Sequence, residues 1–167
     1  MIAESRRAIA HAAIAIIAAL SLAGCAGSAA VGTKPGAVSS AKQEPASVAE
    51  RAAAIALQQV GVTYRYGGAS PVGFDCSGLV HYAYREAGRK VPRTTGQLWD
   101  SAGTVPYRDL QVGDLLFFRF DGKMSHVGIY VGDEQFVHAP STGKRVSVDS
   151  LDAEFYRRAL IRGGRVR

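Results

Sequence analysis

Leu115 to Ala139, LLFFRFDGKMSHVGIYVGDEQFVHA, decides the fold class. Leu115–Phe120 is a short apolar run closed by the turn signal Asp121-Gly122, and His126–Val131 alternates in the period-two pattern of a strand with one buried face. Gly132-Asp133 turns the chain again and Phe136–Ala139 returns. Downstream, Ser141-Thr142-Gly143 is a third turn, Lys144–Val148 a further strand, Ser150–Tyr156 a helical turn and Leu160–Arg162 a last strand. Upstream the periodicity is helical. Helices first and antiparallel hairpins second predict an α+β domain, with N-terminal helices packed on one face of a small antiparallel sheet of about five to six strands.

The first helix opens on Ser47-Val48-Ala49-Glu50, a capping-box pattern, and carries Ala53, Ala56, Leu57 and Val60 on one face before Gly61 stops it. Val62–Gly73, with Gly67, Gly68, Pro71 and Gly73, reads as an irregular loop. It leads into Phe74–Val80, FDCSGLV, and a second helix in which Cys76, Val80, Ala83 and Ala87 share a face and Gly88 marks the end. A short third helix over Arg93–Trp99 is capped by Thr94.

Cys76 therefore lies in a first helical turn, where unpaired N–H groups and the helix dipole favour a thiolate. Thiols so placed have pKa values of roughly 3.5 to 7.5 instead of about 8.5. Asp75 opposes this, so a reactive thiol requires Asp75 to be engaged elsewhere and a histidine to supply positive charge. His126 and His138 are the candidates. An odd connection between their strands, such as Val131-Gly132-Asp133, puts them on one side of the sheet; a two- or four-residue connection puts them on opposite sides. On one side they form a relay, in which His126 takes the thiol proton and His138 hydrogen-bonds its far nitrogen. Backbone N–H groups at the helix start supply an oxyanion site.

Three blander or rival readings stand beside this one. Cys76 could be a small buried hydrophobe on a helix face. Cys76, His126 and His138 could form an open three-ligand zinc site, although no carboxylate base is evidently placed for it. The chain could also bind a cell-wall polymer without cleaving it. His81 reads as a surface or packing residue, Trp99, Tyr82 and Tyr84 as core or groove wall, and Gly67, Gly68 and Gly113 as backbone necessities. Arg157, Arg158, Arg162, Arg165 and Arg167 read as a solvated face.

The 167 residues fit one domain of ordinary size behind a leader. Residues 1–24 read as a lipoprotein signal peptide, with Arg6 and Arg7 as the positive region and Ala8–Leu22 as an apolar run too short to span a bilayer. It ends in Leu22-Ala23-Gly24-Cys25, which resembles the bacterial lipobox and implies lipidation of Cys25. A bridge between Cys25 and Cys76 is then unexpected. Ala26, where an aspartate resembles an inner-membrane retention signal, points to the outer membrane, facing the periplasm, if the source is Gram-negative. Residues 25–46 have a tether's composition of Ala, Gly, Ser, Lys and Pro, and the domain proper is expected over 47–167. The net charge of +6 suits an anionic partner. Export and the lack of an aromatic-and-basic RNA-binding motif argue against nucleic acid and for a wall polymer or lipid surface.

Tyr64-Arg65-Tyr66-Gly67-Gly68, Phe74-Asp75-Cys76-Ser77-Gly78, Pro92-Arg93-Thr94-Thr95, Gly113-Asp114-Leu115, Ser125-His126-Val127-Gly128-Ile129-Tyr130 and Phe136-Val137-His138-Ala139, in that order, resemble the motifs of the NlpC-type cell-wall cysteine peptidases. The resemblance runs from about Ser47 to the C-terminus and implies a compact papain-like fold. It implies Cys76 as nucleophile, His126 as base and His138 as the polar residue that orients it. It also implies that Tyr64, Asp75 and Ser77 line the subsite on the amino-terminal side of the scissile bond, which would employ Asp75 away from the sulfur. The implied substrates are peptidoglycan stem peptides, cut typically between γ-D-glutamyl and diaminopimelate and, in some single-domain lipoproteins resembling this chain, at D-alanyl-diaminopimelate cross-links. No cofactor or metal is expected, and a monomer is expected. With no accessory wall-binding repeat, targeting falls to the lipid anchor.

Overall fold

The computed structural model describes residues 46–167, so the expected signal segment, Cys25 and the tether up to residue 45 lie outside the described residues. α1, Val48–Leu57, opens as the sequence predicts: Ser47 Oγ accepts the Glu50 N–H at 3.2 Å, and the Glu50 carboxylate accepts the Ser47 N–H at 2.6 Å. Its buried face is Ala52, Ala53 and Ala56, small residues that lie against the second helix. Leu57 and Val60, expected inside, are 40% and 50% exposed. The helix gives way at Gln58, ahead of Gly61, so Val60 leaves the helical phase that would have buried it.

A two-stranded ribbon, β1 (Ala69–Ser70) with β2 (Gly73–Phe74), precedes α2, Cys76–Glu86, whose N-cap is Asp75. The ribbon and helix approach so closely that a Cβ on Gly78 would stand 1.9 Å from the Gly68 carbonyl oxygen, which restricts position 78 to glycine. α3, Thr95–Ser101, is capped by Thr94 as expected.

β3 (Gly103–Val105), β4 (Leu115–Phe120), β5 (Lys123–Gly132), β6 (Gln135–His138), β7 (Ser147–Ser150) and β8 (Leu160–Arg165) form one antiparallel sheet in the order β3-β8-β4-β5-β6-β7. β5 and β8 run longer than their sequence signals, and the strand expected over Lys144–Val148 falls at Ser147–Ser150. Alternation along the central strands sends Leu115, Phe117, Val127, Ile129 and Val137 into a core with α1, α2 and α3. Leu116, Phe118, Tyr130 and Phe136 form a second cluster that packs with Tyr156 and Ala159 of α4, Glu154–Ala159. The N-terminal helices thus cover one face of the sheet, as expected, and the short α4 covers the other. The C-terminal arginines are not uniformly solvated either. Arg165 grips the buried Asp114 through two nitrogens, at 2.8 and 2.6 Å, and the Arg162 guanidinium lies 3.8 Å from the Trp99 ring centroid.

The β5–β6 connection decides where the histidines stand. It is two residues, Asp133-Glu134, both at positive φ (49° and 56°), a mirror-image turn that matches the twist of a hairpin. By connection length alone the two histidines would be on opposite faces. Yet the register steps from Tyr130↔Phe136 to Gly132↔Gln135, leaving Val131 unpaired. This bulge supplies the odd residue and returns His126 and His138 to one side.

Candidate active site

The site begins at the junction of β2 and α2. The Asp75 side chain caps the helix, accepting the Gly78 N–H at 2.6 Å, and reaches back to accept the Gly67 N–H at 2.9 Å. Arg93 closes on the same carboxylate with both terminal nitrogens, at 2.9 and 2.7 Å, and also donates to Ser77 Oγ at 3.0 Å and the Gly68 carbonyl at 3.2 Å. Ser77 Oγ in turn donates to Asp75 at 3.2 Å. Burial raises the Asp75 carboxyl's pKa, but Arg93 and the Gly78 and Gly67 amides outweigh it and hold it below the usual carboxylate range. Asp75 is thus engaged away from the sulfur, with Arg93 as its principal partner. Tyr64 stands near both Cys76 and Asp75; burial raises its pKa, and these two acidic groups add to the shift.

The Cys76 sulfur lies 3.7 Å from Thr95 Oγ1 and takes the backbone N–H groups of Val127 and Ser77. It therefore rests on β5 at the residue following His126. Burial pushes the thiol pKa up, and the Asp75 charge adds to this, against the lowering by Thr95 and the two amides. The expected depression by the helix start is overridden, because desolvation of a thiolate costs more here than a few partial charges return.

His126 and His138 are nearly fully buried, 5% and 1% exposed, with His126 Nε2 2.7 Å from His138 Nδ1. Burial, and then the neighbouring His138, holds His126 down at about 3. His138 is also lowered by burial, opposed by Asp149. Neither imidazole supplies the resting positive charge that the sequence reading required, and near neutral pH the site holds an uncharged thiol and uncharged imidazoles. Such a set can act by proton transfer during attack, without a preformed ion pair.

Beyond His138 the chain of contacts continues to a residue the sequence reading passed over. Asp149 Oδ2 is 2.6 Å from His138 Nε2 and accepts hydrogen bonds from Tyr156 OH at 3.1 Å and Ser147 Oγ at 3.2 Å. The strand expected over Lys144–Val148 stopped one residue short of it. Arg93 and Thr95 were visible as a motif, but no local pattern announces that Arg93 pairs with Asp75 across 18 residues. A groove of about 820 Å³ opens beside the two histidines and Asp149, walled by Phe120, Phe155 and Tyr156; Cys76 and the Tyr64, Asp75 and Ser77 group lie outside its lining. His81 accepts no role here, its Nδ1 being 2.8 Å from the Val91 carbonyl oxygen.

The profile of the NlpC/P60 family matches residues 61–165. Murein DD-endopeptidase MepH of Escherichia coli (strain K12) is 40% identical over 116 residues, 66% of this chain and 43% of that protein. The gamma-D-glutamyl-L-lysine dipeptidyl-peptidase of Bacillus subtilis (strain 168) is 38% identical over 104 residues, 60% of this chain and 35% of that protein. The chain thus spans less than half the length of these curated relatives. Among solved structures, the peptidoglycan hydrolase RipB of Mycobacterium tuberculosis superposes with a TM-score of 0.61 at 29% identity, over 71% of this chain and 64% of that one.

Proposed function

The chain belongs to the NlpC/P60 family, and on that footing we propose that it is a cysteine endopeptidase that hydrolyses stem-peptide bonds of peptidoglycan. The observation that carries the reading is the thiol at the start of α2, resting on the amide of Val127, the residue after His126, whose ring is paired with His138. In the proposed reaction His126 takes the proton of Cys76 as Sγ attacks the scissile carbonyl carbon. Backbone N–H groups at the start of α2 face the developing oxyanion, the Gly78 N–H being held by the Asp75 cap. His126 then gives its proton to the leaving amine, and water hydrolyses the thioester by the same route in reverse. His138 orients His126. Tyr64, Asp75 and Ser77 form the recognition side for the amino-terminal part of the substrate, with Arg93 fixing the carboxylate. One relative is named for DD-endopeptidase activity and another for the γ-D-glutamyl-L-lysine bond, so both D-alanyl-diaminopimelate and γ-D-glutamyl-diaminopimelate bonds fall within the proposal. Masses of the muropeptides released from sacculi by the purified protein decide between them; no Cys76-dependent product of either kind would overturn the reading.

The same proposal extends to location. Signal segment 1–24, lipidation at Cys25 and a tether over 25–46 would deliver a monomeric domain to the wall from a membrane, the outer one if the source is Gram-negative. This rests on Leu22-Ala23-Gly24-Cys25 and on composition. Metabolic labelling with a lipid precursor tests it, with label expected on Cys25.

A further inference from the structure

Asp149 bonds His138, and His138 in turn bonds His126, so the state of this carboxylate bears on both histidines. An ionised carboxylate accepts hydrogen bonds and cannot donate them. At 2.6 Å from Asp149 Oδ2, His138 Nε2 must therefore carry the proton. A neutral imidazole has one N–H, so His138 Nδ1 is left as an acceptor. It faces His126 Nε2 at 2.7 Å, which must then donate. The remaining nitrogen of His126, Nδ1, is by elimination the one with a free lone pair. We propose that Asp149 is a positioning residue of this site, fixing His138 and, through it, His126 in the one tautomeric pattern that leaves His126 Nδ1 able to accept the Cys76 proton. The proposal deepens the peptidase reading and rests on it for its catalytic meaning, while the tautomer pattern follows from the two short contacts together with an ionised Asp149 and uncharged imidazoles.

The surroundings suit the task. Burial raises the Asp149 carboxyl's pKa, but His138, Tyr156 and Ser147 outweigh it, so it stays ionised near neutral pH. Burial and the Asp149 charge push the Tyr156 phenol up to about 12, so it remains a donor. The groups facing the relay are His126 from β5, Ser147 and Asp149 from β7, and Tyr156 from α4, with Lys144 and Arg145 lining the same groove. An amide at position 149 could donate as well as accept. His138 could then carry its proton on Nδ1 and donate to His126 Nε2, which would place the His126 proton on Nδ1 and block the base.

The test uses full-length protein with 15N-labelled histidine, comparing wild type, Asp149→Asn and Asp149→Glu by side-chain NMR and by iodoacetamide reaction rate against pH. Expected are Nε2–H tautomers of His126 and His138 in wild type, and a mixture in Asp149→Asn. The Asn variant should also show an upward shift of its alkylation midpoint and at least a tenfold slower reaction at pH 7. Asp149→Glu should restore the tautomers in part. A bystander carboxylate would act oppositely: removing its charge makes a thiolate easier to form, so an unchanged or lower midpoint with unchanged tautomers overturns the proposal. An Nδ1–H tautomer on either histidine of the wild type also overturns it, whether or not the variant folds. Because neither readout needs turnover, a wild type inert on sacculi would sink the peptidase reading and leave this question separately answered.

Discussion

His126 shows how burial sets the chemistry of a side chain. Its pKa is pulled from an ordinary 6.5 to about 3, so at neutral pH it is an uncharged base. The unfolded chain binds a proton near pH 6.5 and the folded one does not until far lower. Stability is therefore unaffected above about 6.5 and falls as the pH drops from there toward 3, by about 1.4 kcal/mol per pH unit for each such histidine. Urea unfolding of the wild type between pH 7.5 and 4.5 should show this slope, and His126→Gln should flatten it; an equal slope in both proteins would place the acid sensitivity elsewhere. The thiol yields the companion prediction. Cys76→Ala deletes the proposed nucleophile and little volume, so it should abolish fragment release from sacculi while leaving the urea midpoint close to wild type.

Arg93 helps to fasten the loop ahead of α2 to the helix itself, bonding the Asp75 carboxylate, Ser77 and the Gly68 carbonyl. Arg93→Ala should destabilise the domain by about 2 kcal/mol, the cost of leaving a largely buried carboxylate without its charged partner. Arg93→Lys should recover less than half of that, since an ammonium cannot reproduce the two-pronged contact and the bond to Gly68 together. A urea-midpoint change equivalent to less than about 0.5 kcal/mol for Arg93→Ala would show that the cap holds without it. The contrast with what the sequence revealed is instructive. The capping box of α1, the face of α2 and the strands β4, β5 and β6 were legible because each depends on residues a few positions apart. The unpaired Val131 was not, because a bulge is a property of two strands, and without it the two-residue turn argues for the wrong face. Asp149, Arg162 and Arg165 escaped for the same reason: their partners, His138, Trp99 and Asp114, come from distant parts of the chain. The thiol pKa was misread because a helix start can be recognised locally, whereas burial depends on the packing of every layer above it.

The layers and the bulge together set the Cys76 thiol against β5 at the residue after His126 and pair that histidine with His138, in a domain for which a lipid attachment is expected upstream. In the proposed arrangement the anchor at Cys25 and the chemistry at Cys76 lie at opposite ends of a tether, so Cys25→Ser should leave peptidase activity intact and move the protein from the membrane to the soluble fraction. Unchanged partitioning would show that Leu22-Ala23-Gly24-Cys25 is accidental. The proposed reaction itself is tested most directly by mass spectrometry of muropeptides released from purified sacculi by wild type and by Cys76→Ala, each with and without iodoacetamide. The account predicts stem-peptide cleavage products from the untreated wild type alone. Equal release by Cys76→Ala, or release that survives full alkylation of Cys76, would contradict it.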